Sequence, residues 1–126
     1  MENIKKPWVE WNVKGTQYKL KLTTAAIVSL ENKLKCNLLD ILNSGTIPQL
    51  NIMADIIHAS MSKYHHGIKN HDVSEILDDY FDEGGSQLDL LTNVIVPIYT
   101  VSGFFPRNVA EKVDYKMEEA KELMEE

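Results

Sequence analysis

The feature that most limits what this chain can become is a change of apolar period at Leu22. Before it, apolar residues alternate: Val9, Trp11 and Val13 with Glu10 and Asn12, then Tyr18, Leu20 and Leu22 with Lys19 and Lys21. A period of two puts one set of side chains on one face of a strand. Lys14-Gly15-Thr16 between the two runs reads as a turn, so the opening is expected to be a β-hairpin with one apolar and one lysine-bearing face. A two-stranded ribbon is marginal in water by itself. Its Trp11, Tyr18 and Leu20 side is therefore expected to pack on helices later in the chain, or to pair with another copy.

After Leu22 the apolar residues recur at three- and four-residue steps. Thr23 or Thr24 suits a helix cap, and Ala26, Ile27, Leu30 and Leu34 fall on one stripe. Asn37 tolerates the left-handed conformation that ends many helices, and Leu38-Leu39-Asp40-Ile41-Leu42 reads as a short helical turn before Asn43-Ser44-Gly45. A long helix is expected from Pro48 to Gly67. Its Leu50, Met53, Ile57 and Met61/Tyr64 stripe, with Ile52 and Ile56 beside it, makes an apolar arc wide enough for a central helix contacted from two sides. Asp72-Val73-Ser74-Glu75 resembles a capping box opening the next helix, whose buried set is expected to be Ile76, Leu77, Tyr80 and Phe81. Ser86 starts a further helix with Leu88, Leu91, Ile95 and Ile98 on one face, and Pro97 within it predicts a kink near Asn93 to Val96. The expected fold is thus α+β, mainly α. An N-terminal β-hairpin and a four- to five-helix domain span residues 1–106, and a charged C-terminal helix spans 107–126, with Val109, Val113, Met117, Ala120 and Met124 as a thin apolar stripe.

Composition excludes several classes. With 126 residues, 44% hydrophobic and 25% charged, the chain has the make-up of one globular domain. It holds no apolar run near the roughly 18 to 20 residues needed to cross a bilayer, so no membrane association is expected. The opening MENIKKPWVEW lacks the apolar core of a secretory leader. Cys36 is the single cysteine, which excludes an intrachain disulfide and a cysteine-built zinc site and suits a reducing, cytoplasmic compartment.

The net charge of −6 is unevenly spread. Residues 1–35 carry seven lysines against Glu2, Glu10 and Glu31, net +4, which leaves the other 91 residues at −10. No lysine or arginine lies between Asn70 and Pro106, where seven acids fall. An acidic surface repels phosphate backbones, so nucleic acid is not an expected partner. Such a face is either a solvated, solubilising one or a match for a basic partner segment.

No catalytic spacing is visible: there is no G-x-S-x-G elbow, no glycine-rich phosphate loop, and no base or orienting group signalled near Cys36, which reads as a helix-end packing residue. His58 and His65 stand seven residues apart, about 10 Å along a helix and too far to share one ion. His65, His66 and His71 around Gly67 are the one place where a metal site is conceivable, against the plainer role of complementing a helix C-terminus. No cofactor and no enzymatic activity are expected. Phe104 and Phe105, between Gly103 and Pro106, are either a lid over the core or an exposed anchor.

The run from Tyr18 to Leu34, with its Leu30-Glu31 pair, leads into Asn37-Leu38-Leu39-Asp40-Ile41-Leu42. A polar, glycine-ended segment comes next at Lys63 to Gly67, then an acidic helix from Val73 to Glu83 and a closing Gly103-Phe104-Phe105. In this order the motifs resemble those of the small tail assembly chaperones, or tape measure chaperones, of long-tailed bacteriophages, over about residues 17–105. Asn37 stands where that family often has glycine. The resemblance implies a non-enzymatic protein of the infected host's cytoplasm that binds the hydrophobic, helical tape measure protein, keeps it soluble and helps recruit tail tube protein subunits. It also implies a homo-oligomer, and a longer form made by frameshifting beyond the charged tail. On this reading Ile52, Ile56, Phe104 and Phe105 are the candidate partner-binding residues, and Trp11, Val13, Tyr18, Val113 and Met117 the candidates for self-association. A generic helical adaptor, and a histidine-based metal-binding protein, are the alternatives.

Overall fold

A computed structural model describes residues 7–105. The expected helix at 107–126, with Val113 and Met117, lies outside the described residues. What is described is α+β and mainly α, as the periods predict.

Strands β1 (Val9–Val13) and β2 (Thr16–Leu20) pair antiparallel, with Val9 opposite Leu20, Trp11 opposite Tyr18 and Val13 opposite Thr16. The turn is tighter than expected. It consists of Lys14 (φ 51°) and Gly15 (φ 80°), while Thr16 already belongs to β2. Two consecutive left-handed residues form the two-residue turn whose twist matches that of the strands. Lys14 is held there from outside: its N–H donates to Glu83 Oε1 at 3.1 Å and its ammonium lies 3.5 Å from Asp79 Oδ1.

The helical body comprises α1 (Thr24–Leu34), α2 (Leu38–Leu42), α3 (Leu50–Met61) and α4 (Asn70–Asp82). After these, α5 (Gln87–Leu90) runs through a π-helical turn (Leu91–Ile95) into α6 (Val96–Val101). Thr23 caps α1 by accepting from the Ala26 N–H at 3.1 Å. Helix α1 ends one turn earlier than Asn37: Lys35 takes the left-handed conformation (φ 61°), and Asn37 instead opens α2, its Oδ1 accepting from the Leu39 N–H at 3.0 Å. Asparagine suits both roles, and the lone polar side chain just ahead of an apolar helix is better used as an N-cap.

Helix α3 is the central one, touching α1, α4, β2 and the π-helical turn. Met53, Ile56, Ile57 and Met61 on it are fully buried. It is shorter than Pro48–Gly67 at both ends. Gln49 precedes its first residue, and after Met61 the chain tightens, Ser62 N–H bonding the Ala59 carbonyl at 3.2 Å. Helix α4 begins at Asn70, so Asp72 sits in its first turn and accepts from the Lys69 N–H at 2.9 Å; it closes the helix start from inside rather than capping it from outside.

The Pro97 kink takes a specific form. Proline has no N–H to give the Asn93 carbonyl, and the π-helical turn over Leu91–Ile95, with its wider i→i+5 spacing, occupies that place. The added residue per turn rotates the buried face. Leu90, Val94, Ile95, Ile98 and Tyr99 are buried, while Leu88 and Leu91 of the expected stripe are half-exposed. One core joins hairpin and helices, from Trp11, Val13 and Leu20 to Ile98 and Tyr99.

Candidate functional site

Helix α2 is only five residues long, too short to persist alone. Three contacts hold it. The Glu31 carboxylate, one turn before the end of α1, accepts from the Leu38 N–H at 3.0 Å. The Tyr99 hydroxyl donates to the Leu38 carbonyl at 2.7 Å, and the Ser44 hydroxyl donates to the Ile41 carbonyl at 3.1 Å. Burial, with Cys36 and Glu31 nearby, pushes the Tyr99 phenol well above its usual range, so it remains a donor at any physiological pH. Tyr99→Phe leaves the buried Leu38 carbonyl without this partner. It is expected to cost about 1–3 kcal/mol, read as a lower urea midpoint with unchanged slope.

Four of the five residues of α2 are leucine or isoleucine, more than one helix face can bury. Leu38 and Ile41 point into the core, whereas Leu39 and Leu42 are half-exposed. They form one wall of an apolar groove of about 250 Å³, completed by Asn43, Thr46 and Pro48 from the connection to α3 and by Leu91, Val96 and Phe105. Ile47, 47% exposed, lies between Thr46 and Pro48 in the same connection.

Phe105 reaches the groove through the way α6 stops. Gly103 adopts φ 86°, its N–H meets the Thr100 carbonyl at 3.5 Å, and the Phe104 N–H meets the Tyr99 carbonyl at 3.3 Å. This paired bonding reverses the chain at a helix end, and a left-handed glycine permits it. The Phe104 ring lies 4.6 Å from that of Tyr99. Both rings rest on the core, Phe104 as a lid over Tyr99 and Phe105 at the edge where it also walls the groove.

The other expected site residues are placed differently. Ile56 is fully buried under the helices and presents nothing to a partner, because α3 uses both of its apolar stripes in the core; Ile52 is half-buried beside it. Trp11 and Val13, at 5% and 3% exposure, are likewise consumed by the core, with the Trp11 ring 5.6 Å from Tyr80. Tyr18 is half-buried against Trp11 and His65. Nor is the outer edge of β2 open where Lys19 and Lys21 lie: the Lys21 N–H bonds the Ser60 carbonyl at 2.9 Å and the Lys19 N–H bonds His65 Nε2 at 2.9 Å. Cys36 is exposed rather than packed.

His58, His65 and His71 have separate partners. His58 Nε2 donates to the Ile68 carbonyl at 2.8 Å, His71 lies 3.3 Å from Glu75, and among the described residues no three metal-ligating side chains gather. Helix α4 carries its acids outward, with Glu75, Asp78 and Asp82 at least partly open to solvent. Among the described residues no helix is long and apolar enough to cross a membrane.

The fold and groove define a small helical domain, roofed by a hairpin, with a shaped apolar surface between its second helix and its last. Over residues 4–125 the chain matches a family of unknown function (DUF6096), and it belongs to that family. No characterised protein and no solved structure gives a match.

Proposed function

We propose that the protein is a tail assembly chaperone of a long-tailed bacteriophage, acting without catalysis in the cytoplasm of the infected host. Its groove takes apolar side chains from amphipathic helical stretches of the tape measure protein and so keeps that protein soluble. Several copies coating one tape measure chain then help recruit tail tube subunits. The observation this reading rests on is the groove walled by Leu39, Leu42, Leu91, Val96 and Phe105, a concave apolar surface of the kind into which an amphipathic helix can lay a side chain. The choice of partner rests on the resemblance in the order of motifs from Tyr18 to Phe105, and the outward acids of α4 would keep a coated filament dispersed.

Burying one Leu- or Phe-sized side chain is worth roughly 1.5–3 kcal/mol, about ten- to a hundredfold in affinity. Repetition along a long partner multiplies modest single-site affinities. The test is co-expression with the tape measure protein of the same gene cluster. That protein is expected to move from the insoluble to the soluble fraction and to co-purify with this chain; continued insolubility with no co-purification would refute the reading.

A further inference from the structure

His65 joins the hairpin to the helical body in a way that depends on its protonation. A backbone N–H can only donate, so the 2.9 Å bond from the Lys19 N–H requires His65 Nε2 to be a bare acceptor, with the ring proton on Nδ1. Adding a proton to Nε2 sets donor against donor and abolishes the bond.

Among the described contacts of the ring, none offers the added proton an acceptor. The titratable neighbours are Tyr18 and Lys19 on β2, Glu10 opposite Lys19 in the register, His58 on α3, and Lys63, Tyr64 and His66 along the chain beside the ring. Tyr18 meets His65 edge-on at 5.5 Å, and His58 Nε2 is already committed to the Ile68 carbonyl. The Lys19 ammonium is fixed over the Trp8 ring at 4.6 Å and the Tyr64 ring at 5.8 Å, which keeps a positive charge beside the imidazole.

We propose that His65 is a pH-operated latch: neutral, it holds the Lys19 N–H and ties β2 to the segment after α3, and protonated, it lets go of that N–H while the Lys21 bond to Ser60 stays in place. Partial burial and the Lys19 charge both lower the His65 pKa from the usual 6.5. Protons therefore bind the released state more tightly than the latched one. The latch is complete above pH 6.5 and weakens as the pH falls below that value.

The experiment is amide hydrogen exchange on the whole chain at pH 7.5 and 5.0, expressed as protection factors. In the wild type, Lys19 protection is expected to fall about tenfold or more in acid, while the Leu22 amide, held by the Ser102 hydroxyl at 2.9 Å, stays protected and reports that the domain has not unfolded. His65→Gln, whose amide oxygen accepts at every pH, should keep Lys19 protected in both conditions. His65→Phe, which retains a ring against Tyr18 but has no acceptor, should leave Lys19 unprotected in both. Equal Lys19 protection at the two pH values in the wild type, the same fall in His65→Gln, or a parallel loss at Leu22 would each overturn the latch.

Discussion

Ile56→Ala is expected to cost about 2–5 kcal/mol of unfolding free energy, a large share of what a domain of this size possesses. The side chain is fully buried on the central helix, between elements that contact α3 from several directions. Such a site cannot collapse around a missing group, so the loss of apolar transfer energy is joined by a cavity term. Ile52→Ala, one turn earlier and half-buried, is expected to cost distinctly less. Urea denaturation of the two variants reads the difference. Equal midpoints would mean that the two stripes of α3 share the core in a way the burial pattern does not describe. Partner affinity per folded molecule should be unchanged in Ile56→Ala, because a residue inside the core touches no ligand.

Phe105→Ala is expected to do the reverse. Its ring walls the groove while also resting on the edge of the core, so its loss should weaken binding of a tape measure helix about tenfold or more, alongside a moderate drop in melting temperature. Phe104 is the internal control. It closes over Tyr99 at 4.6 Å, and Phe104→Ala should lower the melting temperature and leave the affinity of the folded protein intact. Thermal unfolding and peptide titration on both variants separate the roles. A large stability loss with full affinity for Phe105→Ala would make it a second lid and remove it from the site.

Much of the fold is legible in the sequence because each early element carries a strong local signal. Alternation over Val9–Val13 and Tyr18–Leu22 marks the hairpin, and Thr23 and Ser86 mark two helix starts that the cap hydrogen bonds match. Boundaries that depend on distant partners are not legible. Nothing near Met61 announces the helix end that His58 and His65 brace through Ile68 and Lys19. Pro97 signals a disturbance, but a stripe drawn at regular helical spacing cannot anticipate the register rotation that a π-helical turn introduces.

The site divides in the same way. Phe104 and Phe105 stand out as a pair, yet which ring closes over Tyr99 and which lines the groove depends on the chain reversal at Gly103. Ile56 looks spare in the sequence because a wide apolar arc on a single helix does not reveal how many neighbours it will meet. The groove itself has one readable sign, four apolar residues in the five of α2, of which two must be left uncovered. Glu31 belongs to the Leu30-Glu31 pair of the family resemblance. Its contribution, holding the Leu38 N–H across the turn, becomes visible only when α1 and α2 are placed together.

The most direct test of the groove as the tape measure site is titration of labelled amphipathic fragments of that protein onto the wild type and onto Leu42→Asp, monitored by fluorescence anisotropy. Leu42 is half-exposed on the groove side of α2, so a carboxylate there puts a charge into the apolar wall while the core beneath Leu38 and Ile41 keeps its packing. Saturable binding by the wild type, with loss of at least about tenfold in a folded Leu42→Asp, is the predicted result. Equal affinity in the two proteins, or no binding of any fragment to the wild type, would contradict it.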